Sequence, residues 1–144
     1  MTARRPLVAA LTALCGIAIG AGSLMDWVAA RGPRPRSGIR HTSVAEAVHW
    51  SYQDSSPLLR SFGAVVLGAG LLVLIGALVG SRFVAGLFSL VAVIAAGLWY
   101  GLSASHYNPM GMPSSDLLAG FWLTAAGGVV GVVSAAYLRR SLRV

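Results

Sequence analysis

The run Phe62–Val79, FGAVVLGAGLLVLIGALV, is followed after Gly80-Ser81-Arg82 by residues 83–102, FVAGLFSLVAVIAAGLWYGL. Neither run holds an Asp, Glu, Arg or His. Both have roughly the 20 residues that an α-helix needs to cross a hydrocarbon layer of about 30 Å. A link of three residues leaves no room for anything but a tight reversal, so the pair reads as a helical hairpin.

Two further apolar runs flank this hairpin. The spans read as 7–28, 58–80, 83–102 and 117–138, separated by outer loops at 29–57 and 103–116. Hydrophobic residues make up 56% of the 144 residues and charged residues 10%, against about 25% charged in ordinary soluble domains. A soluble chain this short has too little interior to hide four such helices. The expected architecture is therefore a single all-α membrane domain over residues 1–144. It is a four-transmembrane-helix antiparallel bundle with a short amphipathic helix in the first extracytoplasmic loop.

The helix ends carry local signals. Pro6 suits the first helical position, where its missing N–H costs nothing. The stretch from Arg31 to Gly38 has the composition of an extended loop, and Arg31, Arg34, Arg36 and Arg40 repel one another. Ser43 and Glu46 fit a capping box, followed by Val44, Ala47, Val48 and Trp50 at roughly helical spacing, which places the surface helix at 43–52. Ser55-Ser56-Pro57 starts the second span, and Ser114 or Ser115 caps the fourth, with Asp116 at its positive end. Leu11 to Cys15 loosely matches a lipoprotein cleavage box, but Leu14 stands where a small residue is required. Arg4-Arg5 followed by Pro6-Leu7-Val8 does not read as a twin-arginine signal.

All eleven basic residues are arginine, and the formal charge is +7. With an even number of spans both termini share a side, which carries Arg4, Arg5, Arg82, Arg139, Arg140 and Arg143 and no acid. Opposite lie Arg31, Arg34, Arg36, Arg40 and Arg60, with Asp26, Glu46, Asp54 and Asp116. Acids count little in the positive-inside rule, so the arginine score is six against five. The first helix alone argues the other way, and helices three and four argue for a cytoplasmic tail. The expectation is a multi-pass inner-membrane protein with both termini cytoplasmic. Such a charge balance points to anionic lipid and away from nucleic acid.

Every span contains a Gly-xxx-Gly pair: Gly16 and Gly20, Gly76 and Gly80, Gly97 and Gly101, Gly127 and Gly131. Four-residue spacing puts both glycines on one face, where helix backbones can approach closely. These eight are the candidate packing residues, some for the bundle and some for a partner. Eighteen glycines also generate such pairs by chance. Asp26, near the end of helix one, and Arg60, near the start of helix two, each oppose the local helix dipole, so an ion pair between them relieves both.

Chemistry is sparse. Cys15 stands alone, which excludes an internal disulfide and the paired thiols of membrane oxidoreductases. Small multidrug transporters resemble the chain in size and span number, but their membrane-embedded glutamate has no counterpart here. Candidate metal ligands are His41, His49, His106, Met110 and Met112 on the loop-rich side, and their spacing matches no dense ligand motif. Neither a cofactor nor catalysis is expected.

Arginine without lysine and Gly-Ala-Val-Leu helices with a Trp near the membrane edge resemble small four-span inner-membrane proteins of GC-rich actinobacteria. The final helix, Gly120 to Gly131 (GFWLTAAGGVVG), is similar to a recurring last helix in such proteins. The resemblance implies location and no activity. Claudin-like tetraspans share the large outer loop, but their paired loop cysteines are absent. The functional expectation is a non-catalytic accessory or assembly subunit of a larger inner-membrane complex, respiratory or envelope-building. Its partners are the lipid bilayer and a larger membrane protein or further copies of itself. A transport or lipid-handling oligomer is the alternative, and an extracytoplasmic metal-binding protein the second.

Overall fold

The computed structural model describes residues 4–27, 61–107 and 117–138, with side chains at 6–27, 61–101 and 117–138. The surface helix at 43–52, its capping box, Arg60, His41, His49, Met110, Met112, the Ser114–Asp116 cap and the arginines after Leu138 lie outside the described residues. The described residues form four helices: α1 (Arg4–Leu24), α2 (Phe62–Val79), α3 (Arg82–Tyr107) and α4 (Ala119–Leu138). Each is long and apolar enough to cross a membrane. The chain is a multi-pass membrane protein by that measure.

The α2–α3 hairpin shows why the local sequence folds as it does. Gly80 ends α2 in the left-handed conformation, with φ 73 and ψ 18. The Gly80 N–H donates to the Ala77 carbonyl at 3.3 Å and the Ser81 N–H to the Gly76 carbonyl at 2.8 Å. That is a Schellman closure, which satisfies two carbonyls that the helix end leaves open. Ser81 then starts α3: its carbonyl accepts the Ala85 N–H at 3.0 Å and its hydroxyl accepts the Val84 N–H at 3.4 Å.

Three boundaries differ from expectation. The second helix starts at Phe62, after Ser61 in extended conformation, and not near 58. Proline at 57 was a weak marker because a helix start is fixed by where the extended cap residue falls. The third helix continues to Tyr107, so 103–107 is helical backbone and not loop. Its apolar span still closes at Gly101. The first helix ends at Leu24, ahead of 28, because the chain turns at Met25 to bring Trp27 inward.

The helices form a ring in which α1 packs on α2 and α4, and α3 packs on α2 and α4. The diagonal pairs barely touch. Partner numbers fall along one helix as they rise along the next. Gly16 meets Gly70 and Leu74 while Gly20 meets Leu67; Gly22 meets Gly120 and Thr124 while Gly127 meets Cys15, Ala18 and Ile19.

Side-chain sizes are distributed inside out relative to a soluble protein. Glycine, alanine, serine and threonine fill most of the interior, with Ile19, Trp27, Phe62, Val66, Val73 and Trp99 as the bulky core. Leu14, Ile75, Leu78, Leu98 and Val133 point outward. Water would penalise so large an apolar exterior. Lipid does not, and in lipid helices associate through close packing between small residues.

Candidate functional site

Small residues build the helix interfaces, and the tightest contacts are backbone to backbone. A Cβ placed on Gly16 would lie 2.8 Å from the Gly70 carbonyl oxygen, and one on Gly70 would lie 2.7 Å from the Gly20 nitrogen. One on Gly76 would lie 2.7 Å from the Ala85 nitrogen, closing the hairpin. On the opposite side of α1, a Cβ on Gly120 would lie 2.7 Å from Trp27 Cδ1 and 3.0 Å from the Gly22 carbonyl oxygen. A side chain at any of these positions forces helices apart, since the opposing atoms belong to backbone or to a fully buried ring.

The eight glycines chosen by spacing separate into different roles. Gly16, Gly76, Gly127 and Gly131 are buried and face another helix directly. Gly20 is half-buried, with Leu67 at ordinary contact distance. At Gly80 no described residue lies within 4 Å of where a Cβ would be, and its use is the left-handed cap. Gly97 and Gly101 are exposed, and no described residue lies within 4 Å of where their Cβ atoms would be. Gly22, Gly70, Gly120 and Gly128 were not singled out by spacing, yet make contacts as tight. Their signal is the broader small-xxx-small pattern, as in Gly120-xxx-Thr124.

A line of hydroxyls crosses the interior between α1, α3 and α4. Thr12 lies 2.8 Å from the Val8 carbonyl and 3.0 Å from the Ser134 hydroxyl, and Ser134 donates to the Gly131 carbonyl at 3.1 Å. One proton per hydroxyl means that Thr12 serves one acceptor at a time. Beside Gly131 sits Ser89, 0% exposed, whose hydroxyl has no hydrogen-bond partner among the described residues. Ser89 Oγ packs directly against the face of Gly131, and Cys15 Cβ would lie 3.5 Å from a Gly131 Cβ. Gly131 is thus one place where α1 and α3, a diagonal pair, come within reach of the same residue.

Aromatic rings close one end of the bundle. Trp27 is fully buried; its indole N–H donates to the Gly22 carbonyl at 2.7 Å, and its own carbonyl accepts the Leu118 N–H at 2.9 Å. Trp99 and Phe121 stand edge-on to it, with ring centroids 4.9 and 5.5 Å away. Edge-to-face pairs of this kind contribute beyond their buried area.

Among the described residues, no group of three or more His, Cys, Asp or Glu comes together. Asp26 is half-buried at the end of α1, while its expected partner Arg60 falls outside the described residues. His106 belongs to the last turns of α3, and its side chain is not described. No family model, no curated protein and no solved structure matches this chain.

Proposed function

We propose that the chain is a non-catalytic accessory subunit of a larger plasma-membrane complex. It is held as an antiparallel four-span bundle with both termini cytoplasmic, and it docks through the outward face of α3. The observation that carries this reading is the pair Gly97 and Gly101. Both are exposed on α3, with no described residue within 4 Å of where a Cβ would stand, whereas every other span spends its best-buried glycines on a contact within the bundle. A glycine face open to lipid gives up side-chain contact unless another helix covers it.

The antiparallel order is supported by the descending partner numbers between adjacent helices. The cytoplasmic termini are supported by the arginine distribution alone. The centre of one copy is filled by Ile19, Val66, Val73, Ala92 and Trp99, so a transport path needs more than one copy.

The test is affinity purification of tagged full-length protein from mild detergent, with mass spectrometry of what comes along. A stoichiometric larger membrane protein is expected, and it should be lost when Gly97→Leu and Gly101→Leu are combined while the fold survives. Recovery of pure homo-oligomer would favour the transport alternative.

A further inference from the structure

We draw no further inference here: the strongest candidate, the exposed face of α3 around Gly97 and Gly101, is a stripe of small residues that belongs to the docking face already described, and nothing in the structure shows what covers it.

Discussion

Gly22 and Gly120 face each other across the α1–α4 interface so closely that a methyl group on Gly120 would sit 3.0 Å from the Gly22 carbonyl oxygen. The same carbonyl accepts the Trp27 indole N–H at 2.7 Å. One peptide oxygen is therefore fixed by a ring from its own chain segment and crowded by a backbone from another helix. That junction sets the spacing of α1 and α4 at the aromatic end.

Gly120→Ala should destabilise the bundle by about 1–3 kcal/mol, the usual cost of forcing extra atoms into a packed site. Gly16→Ala should behave similarly, because the atoms opposite are backbone. Gly68→Ala, with open space at its Cβ, should fall within about 0.5 kcal/mol of wild type. Unfolding in mixed micelles of increasing denaturing detergent measures all three.

Trp27→Phe keeps an aromatic ring but removes the indole donor. The expected loss is about 1 kcal/mol, with a larger loss of about 3–5 kcal/mol for Trp27→Ala, which also empties a fully buried site. Thermal unfolding followed by far-ultraviolet circular dichroism separates the two.

Ser89 and Thr12 should respond in opposite directions. Ser89 has a buried hydroxyl without a partner among the described residues, so Ser89→Ala should be neutral or stabilising. Thr12→Val removes the hydroxyl bonded to Ser134 and should cost about 0.6 kcal/mol, the average for hydrogen bonds between membrane helices, and no more than about 1.7 kcal/mol. A stability loss on Ser89→Ala would mean that the hydroxyl is satisfied after all.

Gly80→Ala places a Cβ in the left-handed region and should cost about 1–2 kcal/mol. Gly80→Asn should recover part of that, because asparagine tolerates this conformation. The readout is again unfolding midpoint, and equal midpoints for both variants would remove the capping role.

Reading the chain from sequence works best where one physical rule dominates. Apolar run length alone locates four spans, because a bilayer admits little else. The Gly80-Ser81-Arg82 reversal is legible for the same reason: only glycine accepts φ 73 without strain. Helix order around the ring is not legible, since nothing in α1 says that Gly16 will meet Gly70 and Gly127 will meet Cys15. Spacing within a helix finds a small-residue face but not the helix opposite it, which is why Gly70 and Gly120 escape notice and Gly97 looks the same as Gly16. Trp27 is another case. Its place at a span end gives no sign that tertiary packing buries it against Trp99 and Phe121.

The most direct test of the whole account is cysteine-accessibility labelling in membranes, with Cys15→Ala as background and single cysteines placed at Ser81, Ile94, Asn108 and Ser141. A membrane-impermeant maleimide should reach positions 81 and 141 from one side only, position 108 from the opposite side only, and position 94 from neither. Labelling of 81 and 108 from the same side, or rapid labelling at 94 in sealed vesicles, would contradict a chain that crosses the bilayer four times.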